Sequence, residues 1–222
     1  MRLLTKTFAV ATTCLATAWA APGKVTVRYV AQTAPKDLGM LVMAAAEGER
    51  SEAFDLPLNN LSEPLEAPAR SFQLQTQEKS VKLAGVALPE DGKAFIILLV
   101  PAKKAGFEPV VIPDESDSFR PGDFYLHNVS SLPIGGKVGT TELLIPSRTG
   151  KVVRPKGARE NRFYDVMIGV KEKTGSRLIT SSRWPLNEQN RTYVFFFDNP
   201  TRGDVDFRAV DEFVPPKEKA KP

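Results

Sequence analysis

Two nearly unbroken apolar runs, Ala94–Val100 and Thr192–Phe197, stand one in each half of the chain. The first stops at Pro101, and a turn signal, Asn199-Pro200, follows the second. Runs this short, rich in β-branched and aromatic residues, read as central strands covered on both faces. Any fold must therefore supply two apolar surfaces to each of them. Around them the pattern has period two. Val25, Val27 and Tyr29 share one face of Lys24–Val30. Phe72, Leu74 and Thr76 alternate with three glutamines, and Val205, Phe207 and Ala209 alternate with Asp204, Asp206 and Arg208. Each reads as a strand with one wet face. Phe163–Val170 places Tyr164, Val166, Ile168 and Val170 together, and the apolar phase of Val81–Leu88 changes at Gly85, as at a bulge.

Turn signals punctuate these runs: Pro89–Gly92, Arg120–Asp123, Gly135-Gly136, Thr149-Gly150, Lys173–Gly175 and Arg202-Gly203. Leu38–Arg50 is readable as a helix, but Gly48 disfavours that. A hairpin turning at Glu47–Arg50 and returning along Ser51–Leu58 is preferred. The fold class expected is all-β, an antiparallel β-sandwich (immunoglobulin-like or related), with no disulfides and little helix. Residues 21–213 are expected to form one sandwich unit. The alternative is two sandwiches, 21–113 and 119–213, cut at the acidic Asp114–Ser118 stretch. No internal repeat is visible in the residues.

The first twenty residues read as an export signal. Arg2 and Lys6 precede a mostly apolar Phe8–Ala18, and Ala18-Trp19-Ala20 is an A-x-A cleavage pattern. The apolar stretch is too short for a membrane-spanning helix, and no later segment approaches that length, so no transmembrane segment is expected. Cys14 follows Ala11-Thr12-Thr13, which lacks the branched residue of a lipid-attachment site. Cleavage after Ala20 removes this sole cysteine, leaving no disulfide, thiolate nucleophile or cysteine ligand. Export places the protein in the periplasm or outside the cell. Residues 214–222 read as a disordered Pro/Lys tail.

Charge narrows the partners. The chain carries net +4, but its excess sits at the two ends. Residues 21–118 hold 10 basic and 14 acidic residues, and 119–216 hold 15 and 11. The body is neutral, with complementary halves, and offers no field of the kind that neutralises a phosphate backbone. Nucleic acid is not an expected partner.

The chemistry narrows further. His127 is the only histidine, so a serine triad has one available base and no G-x-S-x-G elbow to go with it. One imidazole with no thiolate cannot make a type I copper site or a multi-histidine zinc site. His127 reads as a residue on a half-exposed strand face. Asp114, Glu115, Asp117 and Asp123 are oxygen donors without the central glycine of an EF-hand, and they read as an exposed acidic loop. Asn128-Val-Ser130 and Asn190-Arg-Thr192 match the glycosylation pattern, which matters only in a eukaryotic secretory route. No cofactor or metal is expected. A carboxylate-pair glycosidase usually needs an aromatic-lined cleft, for which Trp184 is the only tryptophan beyond the leader.

The sharpest local signal is Ser147–Arg162. It holds Arg148, Lys151, Arg154, Lys156, Arg159 and Arg162 against Glu160 alone. Lys151–Arg154 reads as a short strand and Pro155–Asn161 as a loop. Arginines favour bidentate contact with carboxylate or phosphate, so these six are the candidate binding residues. Their expected partner is an envelope protein or an anionic envelope surface.

Phe119-Arg-Pro-Gly-Asp-Phe-Tyr-Leu-His-Asn-Val-Ser-Ser131, followed by Gly135-Gly-Lys-Val-Gly139, resembles uncharacterised secreted bacterial β-sandwich proteins, in which a strand ending in an Asn-x-Ser turn precedes a glycine hairpin. The resemblance is confined to the second half. It implies the fold and no activity. The functional expectation is a non-enzymatic, exported envelope protein that binds or scaffolds. The alternatives are a carboxylate-based hydrolase and a periplasmic chaperone or assembly factor that uses a sheet edge.

Overall fold

The computed structural model describes residues 24–102, 104–114, 118–173, 175–199 and 201–215. The expected leader, and the tail from residue 216 onward, lie outside the described residues. Fifteen strands and no helix are present among those described. The strands are β1 (Thr26–Ala31), β2 (Leu41–Ala44), β3 (Leu65–Glu66), β4 (Ser71–Thr76), β5 (Lys82–Ala87), β6 (Ala94–Pro101) and β7 (Phe107–Pro113) in the first half. The second half holds β8 (Phe124–Asn128), β9 (Ile134–Val138), β10 (Thr141–Ile145), β11 (Thr149–Val153), β12 (Phe163–Glu172), β13 (Gly175–Pro185), β14 (Asn190–Asn199) and β15 (Asp204–Phe213).

These form four sheets, with strand orders β2-β4-β5, β3-β1-β6-β7, β11-β8-β14-β15 and β10-β9-β12-β13. Three apolar clusters lie between them. Val27, Tyr29, Phe95, Ile97 and Leu99 meet Leu41, Met43, Phe72, Leu74 and Val86 between the first two sheets. Leu126, Val194 and Phe196 meet Ile134, Val138, Ile145, Val166 and Ile168 between the last two. Val30, Ile96, Leu98 and Ile112 meet Tyr193, Phe195 and Val210 in the middle. The molecule is thus a β-sandwich stack, and one cysteine excludes an intramolecular disulfide. The two apolar runs are β6 and β14. Alternate side chains of each feed two clusters, which is why neither run alternates in sequence.

The two inner sheets share one plan. In each, the half's first strand lies parallel to its penultimate strand: β1 beside β6, with Thr26 opposite Ala94, and β8 beside β14, with Phe124 opposite Thr192. Each penultimate strand then pairs antiparallel with the last one. All other ladders are antiparallel. The repeat is one of strand order, with β10 as an addition in the second half. Parallel neighbours need a long connection, and four or five intervening strands provide it.

Several local expectations change. Gly135-Gly136 and Thr149-Gly150 lie inside β9 and β11 rather than in turns. A Cβ at Gly136 would sit 2.1 Å from the Met167 carbonyl oxygen, so glycine serves there for close strand approach. The bulge of β5 falls at Leu83, because Leu74 pairs with Ala84 and Gln75 with Lys82. After β2 the chain turns and returns by single bridges, Ala44 to Arg50 and Leu41 to Phe54, not by a full strand. On β15 Ala209 is exposed, whereas Val210 is buried on the opposite face. That face packs on the other half.

Tyr29 is fully buried, stacked on Phe54 at 4.9 Å, and its hydroxyl is the one buried side-chain polar atom without a hydrogen bond among the described residues. A desolvated, unpaired hydroxyl opposes folding. Tyr29→Phe is therefore expected to raise the unfolding free energy by about 1 kcal/mol, read by urea denaturation. A loss of stability would mean that the hydroxyl has a partner.

Candidate functional site

Only the first part of the basic segment, Thr149–Val153 as β11, forms the edge of the third sheet. β11 stands last in its order, paired with β8 on one side only, with Lys151 opposite Leu126. Beyond Val153 the chain crosses to the outer sheet, where Lys156 bridges Gly139 in parallel. The turn that follows holds Glu160 and Asn161 in the left-handed region, at φ of 52° and 51°. Arg162 stands past this turn, at the start of β12.

The six cations divide by what they touch. Arg154 grips the carboxylate of Asp123 with two hydrogen bonds, Nε to Oδ1 at 2.7 Å and Nη2 to Oδ2 at 2.6 Å. Asp123 is 2% exposed, so this arginine neutralises a buried acid at the mouth of β8. Arg159 pairs with Asp165 at 3.2 Å. Arg148 reaches Glu108 of the first half at 3.9 Å. Lys151, Lys156 and Arg162 have no ion pair among the described residues. Lys151 and Lys156 lie along one stretch of chain, and Arg162 lies apart from them.

Behind β11 sits His127, which is 7% exposed rather than half-exposed. Its face of the third sheet is the one that packs on the first half. The Tyr125 hydroxyl lies 3.3 Å from His127 Nδ1. Burial, with the charge of Arg148 adding to it, pulls the histidine down to about 4, and burial alone pushes Tyr125 up to about 12. Gly150 is opposite His127 in register, and a Cβ there would lie 2.2 Å from the Tyr125 hydroxyl and 2.7 Å from Nδ1. The imidazole is neutral at pH 7, walled in by its strand neighbour.

Sequence reasoning missed the densest charged group. Where the two inner sheets meet, Arg28 donates to Asp114 at 2.5 Å and to Glu212 at 2.6 Å. Arg191 donates to Glu212 at 3.0 and 2.7 Å, lies 3.6 Å from Asp114, and stacks its guanidinium 5.1 Å from the centre of the Phe119 ring. The Tyr193 hydroxyl donates to Glu212 at 2.7 Å. Two residues come from each half, and the net charge of the four is zero. One signal was available: Arg191 directly precedes the Thr192–Phe197 run and is in phase with its Tyr193 and Phe195.

This cluster brings two carboxylates together, the arrangement a carboxylate hydrolase would need. Its electrostatics are those of a clamp. Burial pushes Glu212 upward, but hydrogen bonds from Arg28 and Tyr193 and the arginine charges outweigh it, holding the group below the usual carboxylate range. A general acid needs the opposite shift. The acidic loop is also revised. Asp114 belongs to this cluster and Asp123 to Arg154, while Glu115 and Asp117 lie outside the described residues. No group of three or more His, Cys, Asp or Glu gathers as a metal cage among those described.

Asn128-Val-Ser130 is a buried turn. Asn128 Nδ2 donates to the carbonyls of Leu132 and Ile145 at 2.8 and 3.1 Å, and its Oδ1 accepts from the Ser130 backbone N–H and hydroxyl at 3.0 and 2.6 Å. All the polar capacity of this asparagine is spent inside the fold.

No family model matches the chain, and no curated protein matches it. Among the described residues no helix is long and apolar enough to cross a membrane.

Proposed function

We propose that this is an exported, non-enzymatic binding or scaffolding protein of the cell envelope, which engages its partner through the basic edge formed by β11 and the segment after it. One observation carries the reading. Of the six cations singled out from the sequence, Lys151 stands on the open edge of β11 and Lys156 on the segment that leaves it, and neither has an ion partner among the described residues. A structural role accounts for Arg154 and Arg159, which neutralise Asp123 and Asp165. It does not account for the two lysines. The leader pattern supports export, and the neutral body argues against a polyanionic nucleic acid.

The test separates the two parts of the reading. N-terminal sequencing of the protein recovered from the envelope fraction is expected to start at Ala21. A Lys151→Gln/Lys156→Gln variant is expected to lose cross-linked partners that the wild type retains, at unchanged thermal midpoint. Identical cross-linked products from the two proteins would remove the basic edge as the binding site. An unprocessed chain in the cytosol would remove the envelope.

A further inference from the structure

We infer that β11 accepts an extended acidic polypeptide segment as an added strand on the open edge of its sheet. This rests on the basic edge being the binding site, and adds what occupies it.

The edge is open because β11 ends its strand order, leaving one side of its backbone without a strand partner. Such an edge is a template for a further strand. The charges select which strand. Lysines on an edge keep neutral and basic strands from adding to it, and the same lysines attract an acidic one. The open edge is β11 itself, Thr149 to Val153, about 17 Å at ~3.3 Å per residue; beyond it the Lys156 backbone is held by Gly139, Thr140 and Thr141 of the outer sheet. A strand laid beside β11 passes Lys151, which is exposed and engaged in no ion pair among the described residues, before the chain turns away toward Lys156. Arg148, whose contact to Glu108 is long at 3.9 Å, stands at the entrance.

A cavity of about 150 Å³ opens beside the edge, with Val152 of β11 in its wall together with Ile112, Phe119, Tyr125 and Tyr193. Strand addition draws affinity from main-chain hydrogen bonds and selectivity from pockets that take alternate side chains. The occupant is therefore a segment that alternates acidic residues with apolar or aromatic ones, one of which enters this cavity. An anionic lipid surface would meet the lysines but leave both the backbone edge and the cavity unused.

The experiment measures fluorescence anisotropy of labelled nonapeptides on the purified protein. The pool alternates glutamate with randomised apolar residues. Tight members are remade with alternate backbone nitrogens methylated, in each of the two registers. Methylation keeps charge and side chains but removes ladder donors. Expected is at least a tenfold loss of affinity in one register and little in the other. Lys151→Glu/Lys156→Glu is expected to lose at least tenfold at unchanged thermal midpoint. Equal binding of both methylated registers overturns strand addition, as does a pool with no binder. Sedimentation with phosphatidylglycerol vesicles in the absence of any peptide binding also overturns it, in favour of a lipid surface. If the peptides fail while the Lys151→Gln/Lys156→Gln variant still loses its cross-linked partners, the edge remains the site and the occupant is wrong. If both fail, both readings fall.

Discussion

Glu212→Ala is expected to lower the unfolding free energy by about 3–5 kcal/mol, the usual cost of removing one member of a buried ion pair. The arginines that remain cannot reach water freely: the Arg28 and Arg191 side chains are 13% and 8% exposed. After the substitution both must share Asp114, which Arg191 approaches only to 3.6 Å. The Tyr193 hydroxyl loses its acceptor as well. In a chain of this size the change corresponds to a fall in melting midpoint of roughly 10 °C. Glu212→Gln, which keeps an acceptor for Tyr193 but not the charge, should fall between. Replacing all four charged residues by apolar ones of similar volume should cost far less than the single removal, because no charge is then left stranded. A Glu212→Ala midpoint within 2 °C of wild type would show that the cluster is hydrated and does not hold the halves together.

The second large effect is with pH. Lowering the pH from 7 to 4 is expected to cost about 3 kcal/mol through His127 alone, since each unit of pKa difference is worth about 1.4 kcal/mol. In the unfolded chain this histidine titrates near 6.5, and in the fold near 4, because it is buried and faces the Arg148 charge. Between those values the unfolded state binds a proton that the folded state refuses. Stability therefore rises with pH through this window and levels off above it. Glu212 acts lower. Its depressed folded value means its contribution is present above the ordinary carboxylate range and is lost as pH falls below it. Urea unfolding at pH 7, 6, 5 and 4.5 on wild type and His127→Gln would separate the two. The variant should lose the slope above pH 5 and keep the acid limb. Retention of the full slope would place the titrating group elsewhere.

The layered interior was readable because its cause is local. Ala94–Val100 and Thr192–Phe197 could not alternate, since both their faces are covered, and Tyr164, Val166, Ile168 and Val170 had to alternate, since only one is. What stayed hidden depends on partners distant in sequence. Gly136 and Gly150 look like turn residues until the atoms across the sheet, Met167 O and the Tyr125 hydroxyl, are in place. Asp123 and Arg154 sit at the starts and ends of different strands and meet only once β8 and β11 are in register. The charged cluster draws on four separate segments. His127 was assigned the right strand and the wrong exposure, because nothing local says that the wet face of β8 is covered by the first half. The repeat is invisible in the residues because only the order of pairing recurs. For the candidate site, composition picked out the basic segment, whereas the topology sets only Lys151 of its six cations within an edge strand.

The parallel pairing of β1 with β6, and of β8 with β14, bears on how the chain reaches this state. A nascent polypeptide emerging from its amino end displays β1 long before Ala94–Leu99 exists to receive it, and β8 waits in the same way for Thr192–Phe196. Each half must close its longest loop before its central layer is complete, and such non-local contacts make for slow folding. During that interval the sticky surfaces of Val27, Tyr29 and Leu126 lie bare, so the newborn chain depends on whatever shields it from its neighbours until the late strands arrive.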